Sequence, residues 1–148
     1  MGPACSTSCG ACHESARKFT SHFLPPAEAR ARREQAKAFI DVAEMVLSEP
    51  AAQAHSHVAA ALAVLAAIAA GDAICGLQLG RYSRGQDHDN AAALLDTVDL
   101  PDSTLPAKLR RVLASKDNVH YSPRLISKTD ARALVRQARV LVDAAERL

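Results

Sequence analysis

VAAALAVLAAIAAGDAICGLQL, Val58 to Leu79, is apolar nearly all round. A helix with no polar face must be surrounded by other helices, so this stretch reads as the centre of the molecule. Its many alanines let neighbouring backbones come close. The run Val58–Ala70 stops at Gly71 and Asp72 and is shorter than the roughly 20 residues of a membrane span. With a polar N-terminus that lacks an apolar leader segment, this predicts a soluble, cytoplasmic protein with no membrane contact.

Working outward, Pro50 precedes this helix, which is expected over about Ala51–Leu79, with Gly80 as its stop. Before it, Ala36, Phe39, Ile40, Ala43, Val46 and Leu47 recur at helical spacing, which predicts a helix over about Ala27–Leu47 opened by Pro25 and Pro26. After it comes the polar loop RYSRGQDHD, then a short helix from His88 to about Val98, capped by Asp87 or Asp89. A further helix is expected over Leu105 to about Lys116. The last begins at Ser127, with Asp130 three residues on as in a capping box. Its stripe is Ala131, Leu134, Val135, Ala138, Leu141, Val142 and Ala145.

No segment carries a strand signal. The expectation is an all-α fold, an antiparallel four-helix bundle with one additional short helix. The 49% hydrophobic content and 3% aromatic content of the 148 residues agree with a single core of small side chains. Residues 1–24 read as a flexible cysteine-containing tail, and 25–148 as the bundle.

CSTSCGACH places Cys5, Cys9, Cys12 and His13 together. Thiolates at such spacing suit zinc or an iron–sulfur cluster. No second cysteine pair supports a site, so a tail of reduced thiols is expected, with no metal or cofactor. Cys75 lies in the apolar helix and reads as a small core residue. His55 and His57, two apart on a helix, point to different sides and are expected to be exposed.

Charge is uneven. Between Lys108 and Leu148 there are ten Lys or Arg against four Asp or Glu, in a chain of net charge +2. Lys128, Arg132, Arg136 and Arg139 on the last helix are the candidate nucleic-acid-binding residues. Asp72 is the odd residue of the central helix. A buried carboxylate there either pairs with a cation or lines a polar pocket. Asp72, Arg81, Arg84, Asp87, His88 and Tyr121 are the candidate pocket residues, on the expectation that the loop after Gly80 meets the stretch around Lys116.

The segments AAGDAICGLQLGRYSRGQDHDNAAALL (69–95) and KDNVHYSP (116–123), each followed by a helix, resemble the HEPN family of helical bundles (higher eukaryotes and prokaryotes nucleotide-binding). The likeness covers roughly residues 27–148. It implies a module that usually dimerises and associates with RNA or nucleotides. Many members are metal-independent endoribonucleases with an Arg–His pair, and many are toxins held by a small nucleotidyltransferase-type antitoxin. Others have lost the pair and serve as binding modules. Carried onto this chain, the catalytic pair would be His120 as general base and Lys116 as phosphate holder. Lys116 stands where the family has Arg, and three residues separate the pair where the family has four to six. The expected function is therefore an RNA- or nucleotide-associated module, with ribonuclease and non-catalytic dimeric interaction protein as the alternatives.

Overall fold

The computed structural model describes residues 20–50, 52–84 and 88–148. The chain is mostly helical, as its periodicity requires. In order come β1 (Ser21–Phe23), α1 (Pro26–Ser48), α2 (Gln53–Leu79), β2 (Arg81–Ser83), α3 (His88–Asp96), α4 (Leu105–Ala114), α5 (Lys116–His120) and α6 (Lys128–Glu146).

α2 is the hub. It packs on α1 and α6 and also touches α3, α4 and α5. Its alanines Ala59, Ala60, Ala63, Ala66, Ala67, Ala70 and Ala73 are fully buried. Ile40 of α1, Leu109 and Val112 of α4, and Leu141 and Val142 of α6 close the core around them. α2 is long and apolar enough to cross a membrane by length and composition, with 27 residues. That length exceeds what the uninterrupted apolar run suggests, because Gly71 and Asp72 sit inside the helix and do not end it. Within the fold, 72% of its most apolar window is buried.

The helix ends follow local chemistry. Pro26 opens α1, and the Ala29 amide donates to the Pro25 carbonyl at 2.9 Å. Glu49 is extended because Pro50 follows it. Ser127 caps α6, its Oγ accepting from the Asp130 amide at 3.1 Å. Gly80 ends α2 in the left-handed region, φ 69°, and its amide donates to the Gly76 carbonyl at 3.0 Å.

Two expectations need correction here. The sequence carries no strand signal, yet the described residues hold two strands, and one of them, Ser21–Phe23, lies in the segment read as tail. β1 pairs antiparallel with β2 in the register Ser21↔Ser83, His22↔Tyr82, Phe23↔Arg81. Strands of three residues are too short to show an alternating pattern, so nothing local announces them. They are set by a close approach. The Leu24 amide donates to the Gly80 carbonyl at 2.9 Å. A Cβ on Gly76 would lie 2.5 Å from a Leu24 methyl and 2.8 Å from the Ala29 Cβ. Only glycine lets Leu24 and the start of α1 settle there. In addition, the helix expected over Leu105–Lys116 stops at Ala114 and restarts as α5, and α3 ends at Asp96.

Candidate functional site

Ser115–Leu125 turns out to contain a single short helix followed by a turn. The Val119 amide donates to the Ser115 carbonyl at 3.0 Å, and the Tyr121 amide to the Asp117 carbonyl at 3.0 Å. Val119 is the inward anchor, 2% exposed. Lys116 and His120, four apart, share the outer face of α5. The His120 imidazole is held below its ordinary pKa, first by partial burial, then by the positive charge of Lys116. Tyr121 is 74% exposed, its ring 6.3 Å from that of His120.

His57 holds this segment in place, which corrects its expected exposure; His55 is exposed. The His57 Nε2 lies 2.6 Å from the Val119 carbonyl, and its Nδ1 accepts from the Ile126 amide at 3.1 Å. Only the neutral ring protonated at Nε2 makes both bonds. One turn earlier, Gln53 Nε2 donates to the Leu125 carbonyl at 3.4 Å. The first two turns of α2 thus bind both ends of the α5–α6 connection. The Gln53–His57 spacing is the one sequence cue, and it is weak.

Asp72 lies fifteen residues beyond His57 on the same helix, about 22 Å along its axis. It is buried and pairs with Arg32 of α1, Nη2 to Oδ2 at 2.6 Å. Burial raises the Asp72 carboxyl to about 6 against the opposing pull of Arg32. The Cys75 thiol is pushed up to about 12, chiefly by burial and then by Asp72, with Arg81 pulling the other way. Arg32 borders a shallow cavity of about 290 Å³ with Leu24, Glu28, Ala31, Gln35 and Tyr82.

The candidate pocket therefore does not assemble as expected. Asp72 sits in the C-terminal half of α2 and Arg81 just beyond it in β2, whereas Lys116, His120 and Tyr121 sit beside the N-terminal turns of α2. Arg84 is exposed. Asp87 lies outside the described residues, and His88 is described only as the first residue of α3.

The α6 stripe also divides. Arg139 is not available to a ligand. Its Nε donates to Glu44 Oε1 and its Nη2 to Asp41 Oδ1, both at 2.8 Å, which ties α6 to α1. Glu44, then Asp41, raise its pKa further. Lys128, Arg132 and Arg136 make no ion pair among the described residues. Of the ten cations from Lys108 onward, only Arg110 and Arg139 are ion-paired among the described residues, Arg110 with Asp89 at 3.5 Å.

Between α4–α5 and α6 runs an open groove of about 370 Å³. Arg111, Ser115, Asn118, Asp130 and Gln137 supply its polar lining, and Val112, Ile126, Ala133 and Leu134 its apolar lining. The Gln137 Oε1 is buried without a hydrogen-bond partner among the described residues. No His, Cys, Asp and Glu cluster among the described residues could hold a metal. Cys5, Cys9, Cys12 and His13 lie outside them. The chain matches no family model, no curated protein and no solved structure.

Proposed function

We propose that the chain is a HEPN-like module that associates with RNA or nucleotides, built as an antiparallel four-helix bundle of α1, α2, α4 and α6. The observation that carries this reading is the unneutralised positive charge of the α4–α6 edge. Arg111, Arg132 and Arg136 are exposed and unpaired among the described residues, while the paired arginine of the same helix, Arg139, faces α1. Unpaired guanidinium groups on a rigid helix suit phosphates. On the same reading the module is a homodimer in a bacterial defence or toxin–antitoxin system, partnered by a nucleotidyltransferase-type antitoxin. The apolar side chains Val42 and Met45 of α1 and Val58 and Leu65 of α2, exposed on adjacent helices, support a dimer.

The test is RNA binding as a function of salt. Affinity should fall steeply with salt, with a log–log slope of about −0.7 per phosphate contacted. Replacing Arg132 and Arg136 together by Ala should weaken binding and flatten the slope without moving the melting temperature. Absence of binding at low salt overturns the reading.

A second reading, metal-independent ribonuclease, is favoured by one observation. The His120 ring sits beside Lys116 and is held toward its neutral form, the form a general base needs near neutral pH. His120 would take the ribose 2′-hydroxyl proton and Lys116 would hold the phosphate. Cleavage of RNA in chelator should then vanish in His120→Ala. Equal cleavage by both proteins removes His120 from any such role.

A further inference from the structure

The segment that runs from α5 to the start of α6 is tied to the rest of the molecule by few polar bonds. Among the described residues, three hydrogen bonds reach residues 116–126 from another helix, and His57 makes two of them. The third, from Gln53 to the Leu125 carbonyl, is long at 3.4 Å. Val119 is the apolar anchor. His57 bridges the segment, from the Val119 carbonyl before the turn to the Ile126 amide after it.

That bridge exists for one protonation state only. The neutral ring donates from Nε2 and accepts at Nδ1. A second proton goes onto Nδ1, where it meets the Ile126 N–H head on. The acceptor is lost, two donors oppose each other, and a half-buried ring gains a charge. Among the described residues no acid pairs with that charge: Glu49 after α1, Asp117 on α5 and Asp130 on α6 make no bond to the ring. The other charged groups of the elements around it are cations, Arg111 on α4, Lys116 and His120 on α5, Arg124 in the connection and Lys128 on α6. We infer that His57 is a proton-operated latch, in which the neutral ring holds the α5–α6 connection closed and protonation releases it. The released segment carries Lys116, His120, Tyr121 and Arg124, so the surface that α5 presents near neutral pH is lost in acid. The inference goes beyond the reading of the α4–α6 edge and stands whether or not that edge binds RNA.

The latch contributes stability above the range in which an imidazole takes its second proton, about 6.5 for a free ring, and loses it as pH falls through that range. Asp72, which titrates at about 6 towards the other end of α2, acts in the opposite sense, so overall stability conceals the latch and the test must be local.

Amide exchange of the full chain, followed residue by residue by NMR from about pH 7.5 to about pH 5 and corrected for intrinsic rates, is that test. Protection of the Ile126 amide should fall at least about fivefold relative to amides in the middle of α6, the lower bound for one buried polar group left unpaired. His57→Gln keeps a donor for the Val119 carbonyl but cannot take up a proton, so it should show no such fall, whatever its starting protection. His120→Gln should still show it, which separates His57 from the neighbouring imidazole. Wild-type protection that holds steady across that interval overturns the latch. So does an equal fall in His57→Gln, or the disappearance of the fall in His120→Gln. If His57→Gln does not fold, the ring-nitrogen shifts of wild-type His57 decide. They should report a proton on Nε2 alone at neutral pH and on both nitrogens in acid, in step with Ile126 exchange. A proton on Nδ1 alone at neutral pH, or a titration out of step with that exchange, overturns the inference.

Discussion

The two ends of α2 are held by opposite chemistry. Near its N-terminus a neutral histidine spans two backbone groups, the Val119 carbonyl and the Ile126 amide. Near its C-terminus a buried carboxylate faces a half-exposed guanidinium. The histidine end carries no net charge and positions a surface segment, α5, that bears the candidate pair Lys116 and His120. The carboxylate end is charged and lies under a shallow cavity, with β1 and β2 at its side. A neutral double hydrogen bond pays little desolvation. A buried ion pair must overcome a large one, and the raised Asp72 pKa shows that Arg32 does not fully offset it.

The largest effect is expected at the histidine end. His57→Ala leaves the Val119 carbonyl and the Ile126 amide without their partner. Both bonds are only part-buried, so each group left unpaired should cost in the lower part of the range of about 1–3 kcal/mol, and the loss should be about 2–4 kcal/mol. Chemical denaturation should show it as a lower midpoint at unchanged slope. Hydrogen exchange should show it locally, as faster exchange of the Ile126 amide than of amides in the middle of α6. A variant with unchanged exchange at Ile126 would mean that α5 is held by Val119 packing alone.

The carboxylate end should show itself through pH. The folded Asp72 carboxyl titrates at about 6, above its ordinary value of 3.8. Between these values the folded state binds more protons than the unfolded one, so stability falls as pH rises from about 4 to 6. The contribution is bounded at about 3 kcal/mol by the size of the shift. Asp72→Asn should flatten the stability profile in that window and leave the wild type relatively better at pH 4 than at pH 7. A steeper profile in the variant would show that Arg32 dominates over burial. Asp41 works in the opposite sense. Its carboxyl is lowered first by its hydrogen bond to Lys37 and then by Arg139, so its support is lost as pH falls below about 4.

The same contrast explains what the sequence reveals. α2 and α6 are legible because burial on a helix writes a period into the chain, and because Ser127 and Gly80 carry out local capping. β1 and β2 are not, since three-residue strands have no period and depend on Leu24 settling over Gly76. His57 is missed because its partners lie 62 and 69 residues away in sequence and are backbone atoms, which leave no side-chain signature. The basic stripe is half legible. Arg132, Arg136 and Arg139 look alike in sequence, but the helix turns Arg139 toward Asp41 and Glu44 of α1. The expected meeting of Asp72 with Tyr121 fails on length alone, since α2 holds its two ends apart.

Arg139 supplies the smallest of these effects and the sharpest test of that division. Its guanidinium meets Asp41 and Glu44 on α1 and lies 3.7 Å from Asp143 on its own helix. It is 25% exposed, while the three carboxylates are each above 40% exposed. Surface exposure and salt screening limit such a network to about 1 kcal/mol. Arg139→Met keeps the aliphatic stem over α1 and removes the charge, so it should cost no more than that, and less at high salt. Because Arg139 is committed to α1, the same substitution should leave the salt slope of RNA binding unchanged. Arg132→Ala and Arg136→Ala should do the reverse, lowering that slope with stability unchanged to within about 0.5 kcal/mol. If instead Arg139→Met flattens the slope as much as the other two, the α1–α6 seam itself contacts the phosphates, and Asp41 and Glu44 must yield the arginine when RNA arrives.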